Sequence, residues 1–133
     1  MLKINQSAEF SKTISESDVY SFAGISGDFN PVHINAEYAK EQIFKERIAH
    51  GFLVGSLIST VIGTYLPGNG TIYLGQNMNF MKPVKIGDTV TARVIVIEII
   101  NPTKGIYKLK TTVENQDKQI VIDGEAVVMN KTV

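Results

Sequence analysis

Apolar positions along this chain fall into three successive patterns. In the first 50 residues they come in short runs broken by turn formers. Alternation at Ala8, Phe10 and Lys12 predicts a short strand. Ser15-Glu16-Ser17-Asp18 has the form of a capping box, with Ser15 as N-cap and Asp18 at N3. Val19, Phe22 and Ala23 then follow at helical spacing, and Gly27 supplies a stop. After the turn-forming Asn30-Pro31, Asn35 opens a second helical segment, Ala36 to Gln42. Residues 51–70 read as one helix with its stop: Phe52 to Leu66 is strongly apolar and Pro67-Gly68 ends it. The last 60 residues change period to two. Leu74, Gln76, Met78 and Phe80 alternate with Gly75, Asn77 and Asn79 until Lys82-Pro83, and Thr89 to Ile100 is a long β-branched strand. Asn101 to Gly105 is a hairpin turn, and two further strands, Ile106 to Glu114 and Gln119 to Met129, flank Asn115 to Lys118.

The central helix carries a second pattern. Gly51, Gly55, Ser59 and Gly63 recur every fourth residue, so small side chains line one stripe. Glycine inside a helix costs about 1 kcal/mol relative to alanine, and such a stripe makes sense where another backbone approaches closely. Short connections between the later strands imply antiparallel pairing. The expected architecture is therefore α+β, an antiparallel sheet wrapped around a long central helix, the arrangement called a hot-dog fold. Without repeats, linkers or low-complexity tracts, residues 1–133 are expected to form one such domain.

Composition narrows the chemistry. The chain has no cysteine, which removes disulfides, thiol nucleophiles, cysteine zinc sites and iron–sulfur clusters. Lys+Arg and Asp+Glu both number 13, so no basic field favours nucleic acid. Ile48 to Met81 holds no Asp, Glu, Lys or Arg, but its apolar part also carries Ser56, Ser59, Thr60 and Thr64 and falls short of the ~20 residues of a membrane span. A buried helix is expected instead, with no membrane association. The first residues show no secretory h-region, and a cytoplasmic location is the expectation.

Only two histidines exist, His33 and His50, so imidazole chemistry must use one of them. His-Glu-x-x-His, G-x-S-x-G and phosphate-binding glycine motifs are absent. In Ser26-Gly27-Asp28-Phe29-Asn30-Pro31-Val32-His33, Pro31 biases Asn30 away from the helical region, so a loop is expected to let Asp28 and His33 converge. A carboxylate beside an imidazole suits acid–base work near neutral pH. The same residue types also serve loops as turn formers and caps. In Arg47-Ile48-Ala49-His50-Gly51, Gly51 opens the central helix, so its N–H is an unpaired donor suited to developing negative charge. Packing alone would equally explain a glycine there. Ser59, on the same stripe, is placed either to hydrogen-bond into the site or simply to pack, and Lys82 and Lys85 either meet phosphates or stay solvated.

Asp28-Phe-Asn-Pro-Val-His33 followed by Arg47-Ile-Ala-His-Gly51 resembles the MaoC-like hot-dog family, specifically its (R)-specific enoyl-CoA hydratases. The similarity continues through Leu66-Pro-Gly-Asn-Gly70, Ile72 to Gln76, Phe80-Met-Lys-Pro-Val84 and Gly87-Asp88, over nearly the whole chain. The resemblance implies a hydro-lyase that adds water reversibly to a trans-2-enoyl-CoA, giving the (R)-3-hydroxyacyl-CoA. It implies Asp28 and His33 as the catalytic pair, the Gly51 N–H as oxyanion donor, and Asn30 and Ser59 in support. No metal or redox cofactor is expected, coenzyme A arrives as part of the substrate, and the chain is expected to act as a homodimer that can associate further. A carrier-protein dehydratase, an acyl-CoA thioesterase and a non-catalytic acyl-CoA-binding module share the fold and remain open alternatives, as does the order in which Asp28 and His33 take protons.

Overall fold

The computed structural model describes residues 1–133. Strand β1 (Ser7–Thr13) is followed by helix α1 (Glu16–Ser26), one-turn helix α2 (Pro31–Ile34), helix α3 (Ala36–Lys40) and the long helix α4 (Gly51–Thr64). Strands β2 (Ile72–Phe80), β3 (Thr89–Asn101), β4 (Ile106–Glu114) and β5 (Ile120–Met129) complete the chain. All five strands join one antiparallel sheet in the order β1-β3-β4-β5-β2. Helix α4 packs on this sheet, which is the expected hot-dog arrangement.

Period-two burial explains how the sheet holds the helix. Val90, Ala92, Val94 and Val96 of β3, and Tyr107, Leu109, Thr111 and Val113 of β4, are buried while the residues alternating with them are more exposed. Against them lie Leu53, Val54, Leu57, Ile58, Val61 and Ile62 of α4. Fully burying each such side chain stabilises by roughly 1.5–3 kcal/mol, which outweighs the ~1 kcal/mol each that Gly55 and Gly63 cost inside the helix.

The small-residue stripe plays a different part from the one its spacing suggests. The nearest atoms to Gly51 and Gly55 are side-chain atoms, mainly of β2, rather than backbone. A Cβ on Gly51 would lie 2.7 Å from Phe80 Cε1, and one on Gly55 would lie 2.8 Å from Met78 Sδ. Nothing lies within 4 Å of a Cβ on Gly63, and Ser59 is exposed. The stripe is thus functional packing at its first two members and open surface at the other two.

Strand β2 also departs from its alternation. Leu74 and Phe80 are each about half exposed, because β2 ends the sheet and only its β5 side is paired. A register shift between Tyr73 and Gly75 marks a bulge there. The capping box at Ser15 forms as expected: Asp18 N–H donates to Ser15 Oγ at 3.0 Å and Ser15 N–H to Asp18 Oδ2 at 3.0 Å. No helix is long and apolar enough to cross a membrane.

Candidate active site

Helix α1 is closed by Gly27, whose left-handed φ of +80° ends the helix and turns the chain into the loop before α2. Only glycine takes that conformation without cost. Asp28 follows on the loop, its N–H donating to Ser26 Oγ at 3.1 Å and its Oδ1 accepting from Asn30 N–H at 3.1 Å. His33, by contrast, sits on a helix rather than on the loop expected for it. Pro31 occupies the first turn of α2, where a missing N–H costs nothing, and Asn30 is the N-cap, its Oδ1 accepting from Val32 N–H at 3.2 Å. The extended backbone of Asn30 (φ −54°, ψ 124°) agrees with the constraint from Pro31; the helical turn after it is what that constraint leaves free.

The second half of the site is strapped across the first. Ile48 N–H donates to Val32 O at 3.3 Å and Ala49 N–H to Val84 O at 2.7 Å, so residues 47–50 run between α2 and the segment after β2. Arg47 fastens the near end, donating to Tyr20 Oη at 2.9 Å and Glu16 Oε1 at 2.8 Å. That guanidinium holds the Glu16 carboxyl below its usual range.

His33 is buried, and its Nδ1 lies 2.7 Å from Ile48 O. A carbonyl can only accept, so Nδ1 carries the proton and the lone pair of the neutral ring is on Nε2. Burial pushes the His33 pKa below 6.5, assisted by neighbouring His50 and opposed by the Ile48 bond and by Asp28. A neutral imidazole with a bare Nε2 is the form able to take a proton near pH 7.

His50, for which the sequence offered no specific role, is the least exposed member of the cluster at 2%. Its ring stacks on His33 with centroids 3.9 Å apart and planes inclined by 27°, and Phe22 covers it at 4.9 Å. Asp28, His33 and His50 each bring a ligand-capable atom within 4.8 Å of the others. The set is nevertheless a poor cation cradle. Stacked rings keep their planes apart over the ~2.1 Å reach of a nitrogen–metal bond, so both cannot aim an in-plane lone pair at one ion. One nitrogen of each ring is also committed to a backbone carbonyl.

These groups open on a cavity of about 440 Å³, in the range of small-molecule sites. Asp28, His33, His50 and Gly51 form its polar end, while Phe52 and Phe80 are among its apolar walls. Gly51 is the first residue of α4, so no intrahelical carbonyl reaches its N–H, which lies at the positive end of the helix dipole. Four of the residues singled out in the sequence therefore meet here: Asp28, His33 and Gly51 directly, and Asn30 as the cap that starts α2. Ser59 lies two turns farther along α4, exposed and outside the lining. Lys82 lines the cavity, whereas Lys85 is paired with Glu46 at 3.2 Å.

Comparison with known proteins points in one direction. The family described as MaoC like domain matches residues 2–119. An (R)-specific enoyl-CoA hydratase of Rhodospirillum rubrum is 52% identical over 128 residues, covering 96% of this chain and 88% of the relative. The solved structure of the unliganded R-hydratase PhaJ1 from Pseudomonas aeruginosa superimposes with a TM-score of 0.91 at 49% identity, over 96% of this chain and 81% of that one. The (R)-hydratase from Aeromonas caviae, involved in PHA biosynthesis, gives a TM-score of 0.92 at 42% identity and 96% coverage of both chains.

Proposed function

The chain belongs to the MaoC-like domain family, and from that membership we propose that it is an (R)-specific enoyl-CoA hydratase working through Asp28, His33 and the Gly51 N–H. The observation that carries this assignment is the His33 tautomer: Nδ1–H is spent on Ile48 O, which leaves Nε2 bare on a ring that shares one cavity with Asp28 and the opening of α4.

Hydration of a conjugated thioester needs a base for water, charge stabilisation on the thioester oxygen, and a proton for Cα. A water held between the Asp28 carboxylate and His33 Nε2 gives up a proton to the pair as its oxygen bonds to Cβ. The π electrons move toward the thioester carbonyl, and the enolate oxygen accepts the Gly51 N–H at the helix N-terminus. Collapse of the enolate takes a proton at Cα, returned by the same pair, so one water is added and the pair is restored. Because both protons pass through one cluster, both additions occur on one face of the substrate. Apolar walls keep the site dry enough for the N–H to act strongly on the developing charge.

The free edge of the sheet supports a homodimer. Two strands end the sheet, β1 and β2. Strand β1 presents Ser11, Lys12 and Thr13 near its edge, whereas β2 exposes Ile72, Tyr73 and Leu74. An apolar, unpaired edge invites a second copy to continue the sheet, and β2 is the edge that also supplies Phe80 to the cavity.

Crotonyl-CoA hydration, followed by loss of enoyl absorbance with chiral analysis of the product, tests the assignment. Asp28→Asn and His33→Gln are each expected to lower kcat on the order of 10²–10⁴-fold, the usual worth of a positioned acid–base group. Folded variants that keep the wild-type rate, or release of free thiol instead of hydration, would overturn it.

A further inference from the structure

His50 is buried and titratable, and the reaction as derived leaves it without a task. Its position alone would suggest a helix cap, but its side chain makes no capping hydrogen bond to α4. Its one directed contact leaves the helix: Nε2 lies 2.9 Å from the main-chain oxygen of Asp28, 22 residues earlier in the chain. Since that oxygen only accepts, the neutral ring carries its proton on Nε2. Nδ1 is fully buried and meets no hydrogen-bonding group of the protein. The ring therefore spends its single donor on the peptide of Asp28 and its face on the ring of His33.

We propose that His50 is a positioning residue of the hydration site, tying the Asp28 backbone to the start of α4 through Nε2–H while its ring face fixes the plane of His33. The proposal rests on the assignment of Asp28 and His33 as the acid–base pair. Asp28 stands on an exposed loop just after a glycine, and its other hydrogen bonds, with Ser26 Oγ and Asn30 N–H, stay within that loop, so none of them ties its peptide directly to the helix N-terminus. The bond to His50 does so. It places the Asp28 peptide one residue from Gly51, and the stack places His33 against the same ring. All three working groups are thereby referenced to one residue. Packing alone would be served as well by phenylalanine, whose ring has the same face and no donor. Glutamine supplies the reverse, an N–H near the position of Nε2 without an aromatic face.

The test uses both substitutions in the intact protein. His50→Phe is expected to lower kcat about 100-fold, the cost associated with displacement near 1 Å of reacting groups. KM is expected to stay within about threefold of wild type, because the lost contact positions catalytic groups rather than substrate. His50→Gln is expected to recover at least about tenfold of that loss, since it restores the tie. Thermal unfolding of both variants separates misfolding from mispositioning, and Gln guards against a Phe variant that fails to fold. The second readout needs no activity. With only two histidines in the chain, long-range ¹H–¹⁵N spectra of wild type and His50→Gln assign both rings by difference. The proton of neutral His50 is expected on Nε2, and that of His33 on Nδ1. A His50 proton on Nδ1, an unaltered kcat in His50→Phe, or equal losses in Phe and Gln would each overturn the proposal. A wild-type protein that hydrates no enoyl-CoA would overturn the function instead, and the tautomers would still report whether the tie exists.

Discussion

Gly51→Ala puts the junction of helix and cavity wall under a defined load. Its new Cβ would lie 2.7, 2.9 and 3.2 Å from three carbons of the Phe80 ring. Carbon atoms settle at about 3.5–4.0 Å, so the ring has to withdraw by roughly 1 Å. It can do so, because Phe80 is 50% exposed and stacks only loosely on Phe52 at 6.0 Å. Alanine also gains up to about 1 kcal/mol over glycine in a helix, so the change in overall stability should stay within about that amount. The consequence falls on the site. A wall displaced by about 1 Å next to the proposed oxyanion donor should lower kcat/KM by about 10- to 100-fold. The assay is crotonyl-CoA hydration with Gly51→Ala, Phe80→Ala and the double variant as a cycle. Removing the ring removes the collision, so a favourable coupling on the order of 1–2 kcal/mol is expected between the two changes. An unaltered kcat/KM in Gly51→Ala would mean that the thioester does not pass this junction. A full loss that Phe80→Ala fails to relieve would move the damage from the wall to the donor itself.

Three further outcomes concern the His33 ring and the edge of the sheet. In its proposed role His33 is a neutral base, and burial lowers its pKa from the ordinary imidazole value, so kcat/KM should be flat through pH 7 and fall only on the acid side; a decline on raising the pH through neutrality would mean that His33 must start protonated. Stability has the same sign, because below pH 6.5 the unfolded chain binds a proton that the buried ring resists, and urea midpoints should decrease on that side. Leu74→Lys, on the apolar edge of β2, should convert the proposed dimer into a monomer in sedimentation velocity, as a charge on an edge strand opposes pairing; a dimer that persists in the variant would exclude this edge as the interface.

Local patterns carried most of the fold. The capping box at Ser15, the stop at Gly27 and the period-two burial of β3 and β4 each depend on residues within one element, and each stands where its pattern placed it. That Asp28, His33 and Gly51 belong together came from the family resemblance: the turn and the helix start, read locally, left capping and packing roles open, and the structure lines one cavity with all three. The one-turn helix at Pro31 was legible in principle as well. Asn30 followed by proline is both a turn signal and an N-cap with proline at N1, and the hydrogen bond from Val32 N–H to Asn30 Oδ1 decides for the second. What the patterns lacked was any statement of what covers a face. Four small residues share a stripe of α4, but only the position of β2 determines that Gly51 and Gly55 are covered while Ser59 and Gly63 are not. The alternation in residues 74–80 marks a strand without revealing that it lies at an edge, where alternation no longer implies burial on either side.

His50 shows where that limit matters most for function. As a residue beside Gly51 it looks like part of a helix start, and nothing within ten residues of it explains a histidine. Its partners are Asp28, His33 and Phe22, which precede it by 22, 17 and 28 positions and come from the loop, α2 and α1. They meet because residues 47–50 are strapped between Val32 and Val84, and Arg47 is held by Glu16 and Tyr20 of α1. The strap therefore does two things at once. It delivers the Ile48 carbonyl that sets the His33 tautomer, and it delivers the imidazole that holds the Asp28 peptide. A substitution that loosened Arg47 would act on both, although Arg47 lines no part of the cavity. The geometry of the candidate site is set by the approach to α4 as much as by the helix itself, and that approach is built from long-range contacts that leave no periodic trace in the sequence.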